Sequence, residues 1–174
     1  MVYQAYVRER FDYDAETGVL TWRFLPPVNR KNKHFNSIWG GKRAGFIEKD
    51  WGYRCITMEG KTYKEHRIIW LWQYGYFPSH EIDHINRVSD DNRIVNLREA
   101  KTDSEQAQNK GKYKNNKSGQ PGVNWFPLYN KWVARIQLSG KRKTLGYFEN
   151  FEEACQIYLE AKAKYHEFQP TIRS

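Results

Sequence analysis

The residues best suited to chemistry lie near the middle of the chain, in the segment EIDHIN (81–86), where Asp83 and His84 are neighbours. Cutting a phosphodiester requires a base, a cation that stabilises the charge growing on the phosphate, and a water in line with the leaving oxygen. Neutral imidazole accepts a proton near pH 7, and a carboxylate binds Mg²⁺ or Mn²⁺. The pair therefore suits phosphodiester hydrolysis, although a lone Asp-His dipeptide is more often an ordinary surface pair.

A helix and a hairpin are predicted around this pair. The dense apolar run 65–74 predicts a buried helix. Residues 82–85 predict a short strand, and residues 94–100 predict the strand that returns beside it. Thr102 and Glu105 have the spacing of a capping box, which predicts a short helix after the hairpin.

The N-terminal part of the chain, residues 1–62, predicts short strands broken by turns. Residues 19–24 are β-prone and follow a turn signal, and residues 52–58 alternate before a turn that leads into 62–63. The polar and basic stretch 29–33 predicts an exposed loop. A β-rich extension is therefore expected ahead of the Asp-His segment.

Several spaced elements around the pair match a known pattern in order. They are the run FDYDAETGVLTW (11–22), His66-Arg67, Asp83-His84-Ile85-Asn86, Asn92, Asn96-Leu97-Arg98, Glu105-Gln106 and Asn109. Over roughly residues 8–110 the chain resembles the HNH endonuclease family, in its phage and homing-endonuclease branch.

The resemblance implies a fold and a set of roles. The fold is a β-hairpin packed on one helix around a single divalent metal ion, the ββα-metal motif. His84 would be the general base and Asp83 a metal ligand, while Asn96 would hold the loop or orient His84. The last ligand comes from the helix and falls on Gln106, whose stem is one methylene longer than that of the usual Asn; Asn109, one turn later, is the fallback ligand.

Three points stay open at this stage. Neighbouring residues of a regular strand point to opposite faces, so Asp83 and His84 serve one site only if the strand bends or the site straddles its edge. His66 is either a third active-site group or packs under the hairpin. Arg67 either contacts a phosphate or pairs with an acid such as Glu65.

The C-terminal part predicts a second small fold. Residues 122–127, 131–138 and 142–148 are short β-prone segments separated by turn residues, which predicts a three-stranded antiparallel meander. Residues 151–168 predict a helix, with acids at its start and lysines near its end.

This second fold resembles the plant APETALA/ethylene-response-factor type of DNA-binding domain over about residues 118–166. The resemblance is carried by Gly122-Val123-Asn124-Trp125, the run KWVARI (131–136), Leu145-Gly146-Tyr147-Phe148, Glu152-Glu153-Ala154 and Tyr158. It implies a sheet that lies in the major groove and a helix that braces its back.

Strand alternation divides the sheet residues into two sets. Trp132, Ala134 and Ile136 are expected to pack on the helix, while Val133, Arg135 and Gln137 face outward. Arg135 and Gln137 are expected to read base edges, and Asn124, Phe126, Arg142 and Thr144 are expected on the same DNA-facing side. Lys131, Lys141 and Lys143 are expected to contact phosphates. The alternative is a solvated sheet face that is rich in basic residues.

Composition agrees with a polyanionic partner and sets limits. The formal net charge is +9, and most of the excess lies in residues 110–174. Two cysteines a hundred positions apart argue against a Cys-ligated zinc site or a disulfide framework. No apolar run is long enough to span a bilayer, so we expect no membrane partner and a soluble protein in the cytoplasm, of a bacterial host if phage-encoded.

The sequence therefore predicts an α+β protein. Residues 1–110 form an HNH nuclease domain with a β-rich N-terminal extension, residues 111–120 form a basic linker, and residues 121–174 form a sheet-plus-helix DNA-binding domain. The expected function is a metal-dependent endonuclease that uses one Mg²⁺ or Mn²⁺ ion on double-stranded DNA, nicks one strand, and serves as a homing or mobile-element enzyme. Monomer and homodimer both stay open. The alternative is a sequence-specific DNA-binding regulator with a decayed nuclease site, and RNA cleavage is less favoured.

Overall fold

The computed structural model describes residues 2–102, 105, 108–109 and 116–166. The chain divides into two compact units, Met1–Ala100 and Lys101–Ser174. Within the described residues, no helix is both long and apolar enough to cross a membrane.

The first unit combines three helices with three small antiparallel sheets. In chain order the elements are α1 (Gln4–Arg10), β1 (Phe11–Asp14), β2 (Val19–Trp22), α2 (Arg30–Ile38), β3 (Phe46–Ile47), β4 (Arg54–Met58), β5 (Lys61–Lys64), α3 (Glu65–Tyr74), β6 (Glu81–His84), a 3₁₀ turn (Ile94–Asn96) and β7 (Leu97–Ala100). Strand β1 pairs with β2, β4 lies between β3 and β5, and β6 pairs with β7.

Helix α3 forms the centre of the core of this unit. Its buried apolar residues pack with side chains from α1, the β1–β2 hairpin, β4 and the β6–β7 hairpin, because a helix buried on most sides must be covered by several elements. The core residues are Val7, Phe11, Leu20, Ala44, Ile56, Met58, Ile68, Ile69, Trp70, Leu71, Ile82 and Leu97. The β6–β7 hairpin is thereby fixed on α3, the arrangement that positions Asp83 and His84.

The prediction of an exposed loop at 29–33 is wrong, because helix α2 begins there. The Asn29 side chain accepts a hydrogen bond from the Asn32 backbone N–H at 2.8 Å, which is an N-cap. Phe35, on the inner side of the helix, packs edge-on against Trp22 with ring centroids 5.4 Å apart. With α1 and α2 present, the N-terminal extension is mixed rather than β-rich.

Most of the other predicted elements of this unit are confirmed. Helix α3 has the predicted bounds, and the β4–β5 hairpin lies where the alternation placed it. The return strand is shorter than predicted, because Ile94–Asn96 forms a 3₁₀ turn before β7.

The capping box predicted after the hairpin is also confirmed. Thr102 Oγ1 accepts from the Glu105 backbone N–H at 3.2 Å, and Glu105 Oε2 accepts from the Thr102 backbone N–H at 3.1 Å.

The second unit contains the predicted meander and helix. Strands β8 (Val123–Phe126), β9 (Lys131–Leu138) and β10 (Lys141–Phe148) form an antiparallel sheet with β9 in the centre, and α4 (Phe151–Tyr165) covers one face. Gly122 allows this close packing: a Cβ there would lie 2.1 Å from Cε2 of Tyr158 on α4. Asn150 caps α4 by accepting from two backbone N–H groups in its first turn.

The two faces of the sheet follow the predicted alternation with one exception. Ala134 belongs to the core between sheet and helix, and Trp132 packs against Phe151 of α4 at a centroid distance of 4.7 Å. Val133 lies on the predicted face, with Arg135 and Gln137, but it is only 1% exposed, so the expectation that it faces solvent is wrong. Its cross-strand neighbour is Tyr147, whose ring packs with those of Phe126 and Tyr129.

Candidate active site

Asp83 and Arg98 face each other across the β6–β7 hairpin. They are directly paired in the register of the two strands. Both Nε and Nη2 of Arg98 donate to the same oxygen of Asp83, Oδ2, at 3.0 and 2.9 Å. Both side chains are largely but not fully covered, with about a sixth of each exposed. The carboxylate is therefore held in one orientation by a charged partner.

His84 lies on the opposite face of the same strand, as expected for adjacent residues of a regular strand. Its cross-strand partner is Leu97, a core residue, and the imidazole is buried. The ring packs edge-on against His66 of α3, with centroids 5.0 Å apart. His66 is itself buried and also packs against Tyr53, so packing is the role that its ring contacts support.

Tyr53 lies near both candidate residues, Asp83 and His84. Its ring centroid is 5.8 Å from that of His84. Burial and the nearby Asp83 carboxylate raise the pKa of the Tyr53 phenol. Tyr53 is thus a neighbour of both Asp83 and His84.

His66 and His84 are neutral at physiological pH, because the pKa of each is lowered. Burial lowers the pKa of His66 to about 3, and the neighbouring His84 acts in the same direction. Burial also lowers the pKa of His84, against the opposing effects of its hydrogen bond to Asn92 and of the carboxylate of Asp83. A neutral imidazole at position 84 has the protonation state that a general base requires.

Asn92 holds the imidazole of His84 from the loop between β6 and β7. Its Oδ1 lies 2.9 Å from His84 Nε2, and its Nδ2 donates to Glu65 Oε2 at 2.6 Å. Asn92 and Glu65 are both completely buried. The carboxylate of α3, the amide of the loop and the imidazole of β6 thus form one continuous hydrogen-bonded chain.

Glu65 is a buried carboxylate with an incomplete set of partners. Arg54 Nε lies 3.8 Å from its Oε2, and within the described residues its Oε1 has no hydrogen-bond partner. Burial raises the pKa of Glu65 to about 7, although the hydrogen bond from Asn92 and the charges of Arg43 and Arg54 act to lower it. Above that pH the side chain is an anion.

Asn96 organises the loop and not the imidazole. Its Oδ1 accepts from the Asn86 backbone N–H at 2.9 Å, and its Nδ2 donates to Asn86 Oδ1 and to the Asp91 carbonyl at 3.0 and 2.7 Å. Of the two roles predicted for it, these hydrogen bonds support the first, which is to hold the loop.

The N-terminal hairpin supports the same loop from outside. The Tyr13 hydroxyl donates to the Asn92 carbonyl at 3.1 Å and accepts from the Ile94 backbone N–H at 2.9 Å. Gly18, with φ of +74°, lies so close that a Cβ would be 2.3 Å from the Arg93 nitrogen. The β1–β2 hairpin therefore fixes the backbone of the residue that holds His84.

Three further ion pairs involve acids of this loop. Asp90 is bonded by Arg54 at 3.0 Å and by Arg43 at 3.1 Å. Asp91 is bonded by Arg93, whose hydrogen bonds lower the pKa of the Asp91 carboxyl.

Arg67 lies beside the hairpin but forms no ion pair with an acid of the described residues. It donates to the carbonyls of His80 and Pro78 at 3.0 and 2.9 Å. The pairing with Glu65 considered from the sequence is therefore wrong, because the guanidinium instead holds the segment that leads into β6.

The predicted metal ligands are Asp83 on β6 and Gln106 or Asn109 further along the chain. Among the described residues, no group of three or more His, Cys, Asp or Glu side chains could hold a metal ion. Asp83 offers carboxylate oxygen, the donor that Mg²⁺ and Mn²⁺ prefer, so this residue fits such an ion. Gln106 lies outside the described residues; Asn109, the fallback ligand, is buried and helical.

Sequence reasoning missed the roles of Asn92 and Glu65. Asn92 was part of the motif, but nothing local indicates which group its amide contacts. Glu65 opens a run of otherwise mostly apolar residues (EHRIIWLW), and an acid at the start of a buried helix was the available signal.

In the second unit, most of the predicted DNA-contacting residues share the face that α4 leaves uncovered. By strand register this face carries Asn124, Lys131, Arg135, Gln137, Arg142 and Thr144. Arg135 lies over the Phe126 ring at 5.5 Å, and Gln137 donates to the Gly140 carbonyl at 3.1 Å.

The three lysines expected at phosphates differ in position. Lys141 and Lys143 pair with Leu138 and Ile136, which places them on the α4 side at the sheet edge. Lys131 lies 3.6 Å from the Glu149 carboxylate.

Comparison with known proteins gives one match. Residues 63–108 match the family model described as HNH endonuclease. The match includes α3, both strands of the β6–β7 hairpin and the loop that carries Asn92 and Asn96. It supports the HNH family for this segment and suggests nuclease activity on DNA. No curated protein and no solved structure matches the chain.

Proposed function

We propose that this protein is a metal-dependent HNH endonuclease that hydrolyses phosphodiester bonds of double-stranded DNA. The observation that carries the proposal is the neutral His84, held by Asn92 next to the fixed carboxylate of Asp83, within the segment that matches the HNH family. The arrangement supplies a base and a metal ligand side by side, which is what hydrolysis of an unreactive diester needs.

In the proposed reaction, His84 takes the proton from the attacking water. Its imidazole is neutral at working pH because it is buried, and its orientation is fixed by Asn92. Asp83 would hold one Mg²⁺ or Mn²⁺ ion, with Gln106 or Asn109 as the helix-borne ligand. When bound, the divalent ion stabilises negative charge on the phosphate and on the leaving oxygen. Asn96 keeps the loop in place.

The second unit is proposed to choose the DNA site. Its architecture agrees with a domain of the APETALA/ethylene-response-factor type, in which Asn124, Arg135, Gln137, Arg142 and Thr144 read base edges. Their shared, helix-free face supports that role. Lys131, Lys141 and Lys143, and the remaining N–H groups of Arg67, are proposed to contact phosphates, which fix register without reading sequence.

One HNH site provides one base and one ion, so each protein molecule is proposed to nick one strand. A double-strand break then needs a homodimer or two encounters. A homing or mobile-element role follows from the family resemblance. The proposed layout is a nuclease domain over residues 1–110, a basic linker over 111–120 and a DNA-binding domain over 121–174, which raises the local concentration of the nuclease at the chosen site.

The experiment separates binding from cutting. The purified protein first selects duplexes from a random library in EDTA, where it can bind but not cut. The selected duplexes are then incubated with the protein and Mg²⁺ or Mn²⁺, and the products are resolved on denaturing gels. Metal-dependent cleavage of one strand is the expected result. Selective binding without cleavage under either ion would contradict the nuclease and favour the regulator.

A further inference from the structure

Glu65 is a buried titratable group that the proposed mechanism does not use. Its carboxylate is joined to His84 through a single amide: Glu65 Oε2 accepts from Asn92 Nδ2 at 2.6 Å, and Asn92 Oδ1 lies 2.9 Å from His84 Nε2. The side chains of Glu65 and Asn92 are 0% exposed, so water does not replace either of these two hydrogen bonds.

The hydrogen positions in this chain follow from which groups can donate. An ionised carboxylate only accepts, so the amino group of Asn92 must face Glu65. The carbonyl of Asn92 then faces His84, and because a carbonyl also only accepts, His84 Nε2 must carry the proton. This chain specifies the amide orientation and the imidazole tautomer only when a fixed acceptor lies at one of its ends.

We propose that Glu65 and Asn92 are positioning residues that fix the Nε2–H tautomer of His84, so that Nδ1 is the atom that accepts the proton from water. The inference rests on the proposed nuclease function for its catalytic consequence, but the tautomer itself is a property of the protein alone. Asn96, another amide of the motif, directs its side-chain hydrogen bonds to the loop, whereas Asn92 contacts the imidazole directly.

A purely structural role does not account for a carboxylate at position 65. Burying a charge costs free energy unless it is well paired, and here Arg54 approaches only to 3.8 Å while Oε1 has no partner among the described residues. A glutamine of the same shape would fill the space without that cost. Unlike a carboxylate, however, its amide could donate to Asn92 as well as accept from it, and so would not fix the orientation of Asn92.

The test uses the variant Glu65→Gln in the full-length protein, with Glu99→Gln as the matched control. Glu99 lies on β7, where its side chain accepts from the His80 backbone N–H at 2.8 Å and takes no part in the chain that joins Glu65 to His84. Histidine tautomers are read by long-range ¹H–¹⁵N correlation NMR on ¹⁵N-histidine-labelled protein without metal. The spectra are recorded well above the Glu65 pKa of about 7, so that this carboxylate is ionised.

We expect the Nε2–H tautomer of His84 in the wild type and in Glu65→Gln a substantial population of the Nδ1–H tautomer. The kcat for DNA cleavage should fall by about tenfold or more in this variant, with KM unchanged. Glu99→Gln should match the wild type in both measurements.

The double variant Glu65→Gln/Asn92→Asp supplies a rescue. The amide introduced at position 65 can donate to the carboxylate introduced at position 92, and that carboxylate can only accept, so the Nε2–H tautomer and most of kcat should return. The single variant Asn92→Asp places two carboxylates in contact and should remain impaired.

Two results separate this inference from the proposed function. A wild type that cuts DNA, together with a Glu65→Gln variant that keeps both the tautomer and kcat, would overturn the positioning role and leave the nuclease standing. A wild type that cuts no DNA, with the tautomer switch present in Glu65→Gln, would support the positioning of His84 and overturn the nuclease function.

Discussion

Arg98 donates two hydrogen bonds to the same oxygen of Asp83, from Nε at 3.0 Å and from Nη2 at 2.9 Å. The two residues lie opposite each other in the hairpin, so their side chains meet on one face without distorting either strand. The proposed metal ligand is thus oriented by a cation on the neighbouring strand, while His84 is oriented from the other face by Asn92.

The first prediction concerns the carboxylate of Asp83. Asp83→Asn keeps the size of the side chain but removes its charge, so metal-dependent cleavage should be lost. The free energy of unfolding should fall by roughly 1–3 kcal/mol, because Arg98 loses a charged partner in a largely covered site. Cleavage assays and urea unfolding measure the two effects.

The control for Asp83→Asn is Asp12→Asn, which breaks an ion pair with Arg23 that is well exposed on both sides. Its effect on stability should be within about 0.5 kcal/mol. An Asp83→Asn variant that cuts DNA at the wild-type rate would contradict the assignment of Asp83 as a ligand.

The second prediction concerns the pH dependence of stability at Glu65. Its folded-state pKa is raised to about 7 from 4.5, so the folded protein binds this proton more tightly than the unfolded chain. That contribution to stability is fully present below pH 4.5 and is lost as pH rises through about 7. The difference in free energy of unfolding between the wild type and Glu65→Gln should therefore change with pH. Between low pH and about pH 8 it should shift against the wild type by up to about 3 kcal/mol.

Urea unfolding of both proteins, from about pH 4.5 to well above the folded-state pKa of about 7, measures this difference. Other titrating groups are common to the two proteins and cancel in the comparison. Parallel stability curves across that range would show that Glu65 does not titrate as its burial requires.

The third prediction concerns the contact between Gly18 and the loop that carries Asn92. Gly18→Ala places a Cβ against the backbone of Arg93 at a left-handed φ of +74°. We expect a loss of stability of roughly 2 kcal/mol or more and a lower cleavage rate, because the loop must shift. Gly60→Ala is the matched control, with φ of +72° and nothing within 4 Å of the added Cβ.

Gly60→Ala measures the cost of the left-handed conformation alone, about 1 kcal/mol, and should leave cleavage unchanged. Equal stability losses in the two variants would contradict the close approach of the β1–β2 hairpin to the loop.

The fourth prediction separates reading of bases from contact with phosphates. Arg142→Ala, on the helix-free face, should weaken binding to the selected duplex by about 1–3 kcal/mol and relax specificity at one base pair. Lys141→Ala should weaken binding to all duplexes alike and reduce the slope of log K against log salt by about 1. Fluorescence anisotropy at several salt concentrations measures both, and indistinguishable profiles would contradict the assigned roles.

The sequence predicted the elements whose signals are local. Helix α3, the β4–β5 hairpin and the meander of the second unit carry strong periodicity and turn residues, and their bounds agree with the structure within a few residues. Helix α2 was missed because its charged surface resembles a loop, and only the pairing of the Asn29 cap with an inward-facing ring at Phe35 identifies it.

The parts of the site that could not be predicted depend on contacts between distant positions. Asn92 bonds Glu65 across 27 positions, and Tyr13 reaches the same loop across 79. No local pattern specifies such contacts, because they exist only once α3 and the two hairpins have packed. Val133 is likewise buried although alternation along its strand predicts an outward position, because burial depends on the segments that surround a strand.

The proposed nuclease function depends on His84 as its base. Single-turnover cleavage of a duplex selected by the protein, with Mg²⁺ or Mn²⁺, compares the wild type with His84→Ala and an EDTA control. We expect a single-strand cut by the wild type that EDTA abolishes and a rate at least about 10²-fold lower for His84→Ala, with binding of the duplex retained. Equal cleavage by His84→Ala and the wild type would contradict this role of His84.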